Sequence, residues 1–343
     1  SPAGAFAADP VKASDTRQDI EQLLGIDELT IRGVDILTEG LILDTYEDHG
    51  FAPYWTSEEK IEELMKLING AADHGLKPSD YNIEVLNEVL KLRQEQPSAE
   101  IEAEADILLT ESLFRYGYHR RFGKVKGNEL DPNINFRRQT FHQQAPSRTL
   151  EQALESSSLT DFIEMVAPTG PIYRQLQAKL KFYRDIANKG GWPTIPDGPT
   201  LHPGDSDPGV ALIRKRLVAS GHTELNANQD ASVYDAQVKD AVKAFQVRHQ
   251  LDADGVAGKQ TFAAMNVPVE HRIDQIRLSL ERLRWVKEEQ DETMVVVNIA
   301  GFRALFFNDG APEWETRVMV GKNYRKTPIF RGDIAYLEFN PTW

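Results

Sequence analysis

Residues 293–343 read TMVVVNIAGFRALFFNDGAPEWETRVMVGKNYRKTPIFRGDIAYLEFNPTW. Short runs of Val, Ile and Phe, cut by turn residues, predict strands. Four runs stand out: Met294–Ile299, Phe302–Phe307, Glu313–Val320 and Asp333–Phe339. Asn308-Asp309-Gly310 supplies the positive-φ positions of a hairpin turn between the second and third. In the fourth, Ile334, Tyr336 and Glu338 alternate with Ala335, Leu337 and Phe339, the period of a strand. The stretch reads as the opening strands of a sheet, and it stops at Trp343, directly after Asn340-Pro341. Apolar residues lie on both faces, which calls for cover on both sides. The expectation is an incomplete sheet that self-associates or leaves 294–343 partly ordered.

Upstream of the sheet the periodicity changes from 2 to 3.6. Arg272–Glu289 predicts a connecting helix with Ile273, Ile276, Leu280 and Leu283 on one face. Arg282 and Arg284 on it are either charged faces of that helix or anchors for the sheet. Before it, Asp205–Val267 forms a closed set of three helical segments. The first buries Val210, Ile213 and Leu217 and stops at Gly221; the second follows Asp235 and buries Val238, Ala241, Val242 and Phe245; the third runs from Lys259 to Met265. Gly190-Gly191 and the Pro-rich string to Pro208 read as a stiff linker.

The earlier part is helical. Thr56 and Glu59 have capping-box spacing ahead of Ile61, Leu64, Met65 and Ile68. Ala99–Phe122 is the longest periodic stretch, with Ile101, Ala105, Leu108, Leu109, Ser112, Leu113 and Tyr116 at helical spacing and Gly123 at its end. Asp35–His49 predicts a helix ending at Gly50. Residues before about Leu29 are polar and poorly patterned. The resulting division is a mobile arm at 1–28, a mainly α-helical scaffold at 29–204, a small three-helix module at 205–267, and at 268–343 a connecting helix with the first half of a mainly-β domain.

Three segments of the sheet region, VVVNIAGFRALFF, RVMVGKNYRKTPIF and AYLEFNPTW, resemble the start of the catalytic domain of L,D-transpeptidases, in particular the large multidomain murein branch. HGLKPSDY at 74–81, DILLTESLFRYGYH at 106–119 and the GGWP string within 179–210 resemble the helical scaffold of the same branch, and RLSLERLRWV at 277–286 its lead-in to the catalytic sheet. Phe245, Gln246, Asp254, Gly255, Gly258 and Thr261 resemble the motif of the small peptidoglycan-binding module, although the glycines and the Phe would serve any compact helical unit of this size.

The resemblance implies an enzyme whose cysteine thiolate attacks the carbonyl of a tetrapeptide stem, releases D-alanine and passes the acyl group to a second stem or to water. That cysteine belongs to a Ser-His-Gly-Cys motif C-terminal to everything here, and this chain has no cysteine. The expectation is therefore a member cut before its nucleophile, with no catalytic residue and no activity of its own. The alternative is a non-catalytic, wall-binding scaffold protein. Tyr324, Arg325, Thr327 and Asn340 sit in family-like segments and are the residues expected to border the substrate groove. The plainer reading of the same residues is a turn at Thr327-Pro328 and a strand end at Asn340-Pro341.

Composition narrows the partners. A formal charge of −14 argues against a nucleic-acid backbone, which needs clustered Lys and Arg. No apolar run reaches the ~18 residues of a membrane span. The absence of cysteine excludes disulfides and thiolate metal sites, and neither HExxH nor His-x-His occurs, so no metal and no cofactor is expected. Ala5-Phe6-Ala7 has the small-x-small form of a signal-peptidase site. It points to export, and with the resemblance to the periplasm and to peptidoglycan as partner.

Overall fold

The computed structural model describes residues 13–130, 134, 152–221, 225, 231–285, 293–322, 324–330 and 332–339. They divide into two units. The first comprises Ser1–Arg174, Leu280–Glu289 and Pro328–Trp343; the second comprises Gln175–Ser279 and Gln290–Thr327.

The first unit is helical. In chain order it holds α1 (Ala13–Leu24), the short hairpin β1 (Thr30–Ile31) and β2 (Val34–Asp35), α2 (Glu39–Asp48), α3 (Glu58–Asn69), α4 (Ile83–Glu95), α5 (Ala99–Phe122), the single turn α6 (Gly127–Leu130), α7 (152–155) and α8 (Leu159–Val166). Two 3-10 turns, Gly70–His74 and Pro78–Tyr81, separate α3 from α4. Serines start three of the helices: Ser57, Ser98 and Ser158 accept from the N–H of Lys60, Ile101 and Asp161. Such a side chain satisfies one of the donors that a helix leaves open at its start. The cap of α3 is thus Ser57, one residue after the Thr56 expected from capping-box spacing.

Helix α5 is the axis of this unit. It packs against α1, α2, α3, α4 and α8, so it is buried around its circumference and not on one face alone. Asp106, Thr110, Glu111 and Ser112 are buried along with its leucines. Burying Asp106, Thr110 and Glu111 is tolerable only where they find partners. Asp106 accepts from the Tyr46 hydroxyl at 2.5 Å and from the backbone N–H of Tyr54 and Trp55, each at 2.9 Å. Thr110 accepts from the Trp55 indole at 2.9 Å. These bonds hold the Pro53-Tyr54-Trp55 turn against α5.

Two sequence expectations are corrected here. Ala13–Leu24 is a helix, not part of a mobile arm, and it places Ile20 and Leu24 in the core beside α5. Its four charged residues hid an apolar face of only two or three side chains. The fourth strand, Asp333–Phe339, does not form: no residue in it pairs in a ladder, and Ile334, Tyr336, Leu337 and Phe339 are 71–84 % exposed. Alternation marks a strand only where a neighbour takes its backbone bonds.

The second unit carries a helical module and a small sheet. Helices α9 (Pro171–Asn188) and α13 (Val269–Trp285) contribute residues to both units. Between them lie α10 (Pro208–Ala219), α11 (Ala236–Arg248) and α12 (Lys259–Met265). Asp207 caps α10 on the Gly209 N–H, with Pro208 in the first turn, and Asp235 caps α11 on the Val238 N–H. Ile195, Leu201, Val210, Ile213, Leu217, Val238, Val242, Phe245 and Met265 are among the residues of one core. Ile195 and Leu201 belong to the stretch read as a linker.

That stretch lies on the module. Leu201 and Ala257 exchange both backbone bonds, Ile195 and Asn266 likewise exchange a pair, and the Trp192 indole donates to the Val267 carbonyl at 3.0 Å. Strands β3 (Met294–Asn298), β4 (Arg303–Asn308) and β5 (Ala311–Arg317) form an antiparallel sheet in chain order. Its second turn has Asp309 at φ 49° and Gly310 at φ 72°, the expected positive-φ pair. The third strand is Ala311–Arg317 and not Glu313–Val320.

Candidate functional site

The six motif residues of the module converge on the turn between α11 and α12. Gln246, 2 % exposed, is the hub. Its amide nitrogen donates to the Asp254 carboxylate at 2.9 Å, to the Val256 carbonyl at 3.0 Å and to the Thr261 hydroxyl at 3.2 Å. Its amide oxygen accepts from the Gly255 N–H at 2.9 Å. Asp254 also accepts from the Val256 N–H at 2.9 Å. That N–H and the Gln246 amide hold the Asp254 carboxyl below the usual carboxylate range.

The glycines differ in role. Gly255 sits at φ 74°, and a Cβ there would meet Lys239 at 2.9 Å, so only glycine closes the turn without strain. Gly258 has ordinary extended backbone and room for a side chain. Phe245 is wholly buried and stacks on His249, ring centroids 3.9 Å apart. Burial pushes the His249 imidazole down to about 4, so it is neutral at pH 7.

Sequence reasoning missed two buried groups of the module, one on this turn and one at the far end of α12. Tyr234, 1 % exposed, donates its hydroxyl to the Gly255 carbonyl at 2.9 Å. Arg216, 1 % exposed, stacks its guanidinium 3.7 Å over the Trp192 ring and donates to the Met265 carbonyl at 2.7 Å. Burial lowers its affinity for a proton to a value of about 10, still fully charged at neutral pH. The Trp of the GGWP string was the one available signal for this contact. Phe245, Gln246 and Thr261 are thus interior residues that fix a turn, while Asp252, Ala253, Asp254 and Lys259 are what that turn shows to solvent.

The sequence of this module has a counterpart among known families. Residues 206–265 match the family model of a peptidoglycan binding domain. Residues 40–180 match a second model, the scaffold domain. The two, in this order, fit an L,D-transpeptidase-like architecture, and neither match reaches β3–β5. No curated protein matches the chain. Among the described residues no helix is long and apolar enough to cross a membrane.

The residues expected at a substrate groove lie on the loop after β5. The Thr327 hydroxyl accepts from the Gly321 N–H at 2.6 Å, and the Arg325 N–H donates to the Lys322 carbonyl at 2.8 Å, so the loop folds back on itself. A Cβ at Gly321 would collide with the Arg325 carbonyl. Tyr324 is 76 % exposed and Arg325 is exposed. The loop therefore joins Thr327 to Gly321 and leaves Tyr324 and Arg325 facing solvent. Asn340 lies outside the described residues.

Proposed function

We propose that the protein is a peptidoglycan L,D-transpeptidase that cross-links tetrapeptide stems through a cysteine acyl-enzyme and is held on peptidoglycan through the 206–265 module. The match of 206–265 to a peptidoglycan binding domain carries the binding half of this reading. The order of scaffold and module supports the enzyme half, together with the resemblance of the sheet segments to the start of such a catalytic domain. The nucleophile is not among these 343 residues, which include no cysteine. On this reading the protein is exported and works in the periplasm. Tyr324, Arg325, Thr327 and Asn340 border the acyl-donor groove.

Two measurements test the halves separately. Co-sedimentation with insoluble peptidoglycan is expected for the chain and is expected to be lost when residues 191–268 are deleted; unchanged sedimentation would move binding off the module. Intact-mass spectrometry after incubation with a carbapenem is expected to show no adduct on this chain, and a thioester-type adduct on a longer product of the same reading frame that carries a Ser-His-Gly-Cys motif. A reading frame without that motif would favour the non-catalytic scaffold.

A further inference from the structure

A cleft of ≈ 530 Å³ opens on the first unit between the start of α2, the Pro78–Tyr81 turn and the C-terminal part of α5. Its size falls in the range of small-molecule sites. Arg115 is fixed at its base. Glu111, fully buried, takes the Nε and Nη2 of Arg115 on one carboxylate oxygen, and on the other accepts from the backbone N–H and hydroxyl of Thr38. Arg115 Nη1 donates to the Asp80 carbonyl at 3.3 Å. A guanidinium has five N–H donors, so three bonds to described residues leave it two. Its side chain is 16 % exposed.

Opposite charges meet at the rim. Lys124 Nζ lies 2.8 Å from the Asp80 carboxylate, with side chains 46 % and 20 % exposed. Leu37, 74 % exposed, and Tyr118 supply apolar wall. A site for a simple anion would be spoiled by Asp80, and a site for a simple cation by Arg115. A pre-oriented guanidinium, a lysine and a carboxylate beside apolar surface suit a ligand that carries both charges.

We propose that this cleft binds an α-amino-acid headgroup, a carboxylate and an ammonium on one carbon, borne on a molecule longer than a free amino acid. The ligand carboxylate takes the open N–H donors of Arg115 and the Lys124 ammonium. The ligand ammonium takes Asp80. Exchange of partners opens the Lys124–Asp80 pair, which as an exposed ion pair contributes little to stability. The remainder of the ligand lies along Leu37 and Tyr118. A headgroup of this kind ends the diamino-acid side chain of a wall stem peptide, a source that rests on the peptidoglycan reading; a free amino acid offers the same headgroup without it.

The test is isothermal titration of the full chain with a stem tripeptide ending in meso-diaminopimelate, with the same tripeptide acetylated on its distal amine or amidated on its distal carboxylate, and with free alanine. The tripeptide is expected to bind, both blocked forms to lose binding, and alanine to bind more weakly. Lys124→Ala and Asp80→Asn are expected to weaken the tripeptide about tenfold each, the loss of one charge-assisted contact. Arg115→Ala would strand buried Glu111, so the exposed Leu37→Ala serves as a third variant, expected to weaken the tripeptide about threefold as one apolar contact is lost. Absence of tripeptide binding, equal binding of the blocked forms, or indifference to Lys124→Ala and Asp80→Asn would each overturn the proposal. Tighter binding of alanine than of the tripeptide would keep the headgroup and overturn the longer ligand. Failure here with wall sedimentation intact sinks the cleft alone. Lost sedimentation with tripeptide binding intact sinks the module reading alone.

Discussion

Arg284 donates through Nη2 to the hydroxyl of Tyr173 at 2.9 Å, across 111 positions of sequence. The same nitrogen reaches the His74 carbonyl, and Nη1 meets Glu281 at 3.0 Å. Arg284 is 2 % exposed. The sequence left it as a charged face of α13 or an anchor for the sheet; it is neither, since its partners Tyr173, His74 and Glu281 tie the end of α13 into the helical first unit. Nearby, Gly127 clears a space that a Cβ would fill only by coming 2.7 Å from the Trp285 ring.

Arg284→Ala is therefore expected to destabilise this unit by roughly 2–4 kcal/mol, because it removes a buried cation and leaves Tyr173, the His74 carbonyl and Glu281 short of a donor. Tyr173→Phe is expected to cost about 1 kcal/mol. A denaturant double-mutant cycle should show coupling between the two. Additive effects would mean that the hydroxyl and the guanidinium stabilise the unit independently.

Asp106 makes the first unit sensitive to pH. Burial pushes its carboxyl up to about 6, against the lowering effect of its bonds from Tyr46, Tyr54 and Trp55. The folded state then holds a proton where the unfolded chain, near 3.9, does not. Stability contributed by this group is full below about pH 4, declines as pH rises towards 6, and is level above. The decline amounts to roughly 3 kcal/mol for a buried carboxylate raised to about 6. Chemical-denaturation midpoints between pH 4 and 7 should trace this slope, and Asp106→Asn should flatten it even though its absolute stability is lower. A slope unchanged in Asp106→Asn would assign it to another group.

The packed linker predicts a boundary effect. A fragment of residues 190–268 is expected to melt as a cooperative helical unit, whereas 205–268 lacks Trp192, Ile195 and Leu201 and should be weaker by several kcal/mol, at about 25 cal/mol per Å² of apolar surface left uncovered. Gln246→Leu in the longer fragment is expected to cost about 1–3 kcal/mol, since the buried Gly255 N–H loses the amide oxygen it donates to. Circular-dichroism melts of the three fragments decide it. Equal melting of the two lengths would show that the linker contacts contribute nothing.

On the sheet, Val295, Phe306 and Trp314 stand in one cross-strand row, and Val295, Val297 and Trp314 are 42–49 % exposed. Apolar strands with an open edge template pairing between chains. Light scattering is expected to give a mass that rises with concentration, and Val295→Lys with Val297→Lys should return it to that of one chain. A constant mass for the unsubstituted chain would show that this face does not associate.

What the sequence disclosed follows from locality. Asn308–Gly310, the start of α11 after Asp235 and the extent of α5 all rest on residues a few positions apart, and these read correctly. The circumferential burial of α5 was illegible because Asp106 and Glu111 look like surface residues until Tyr46, Trp55 and Thr38 arrive from elsewhere in the chain. Residues 333–339 fail in the opposite sense, since their alternation is local and the partner that would make it a strand is not. Of the candidate site residues, the module's six were read from the order of their motif and lie around one turn, while Tyr234 carries no local mark of that turn and Arg216 none of the Trp192 ring it stacks on.

The interior position of Phe245, Gln246 and Thr261 separates recognition of the module from its specificity. Substitutions of those side chains act through whether the turn closes, and not through what the module holds. The solvent-facing positions 252, 253 and 259 are under no such constraint. Modules of this kind can therefore diverge in ligand while remaining indistinguishable by motif, and a binding preference is better sought by exchanging those three exposed positions between relatives than by altering the motif itself.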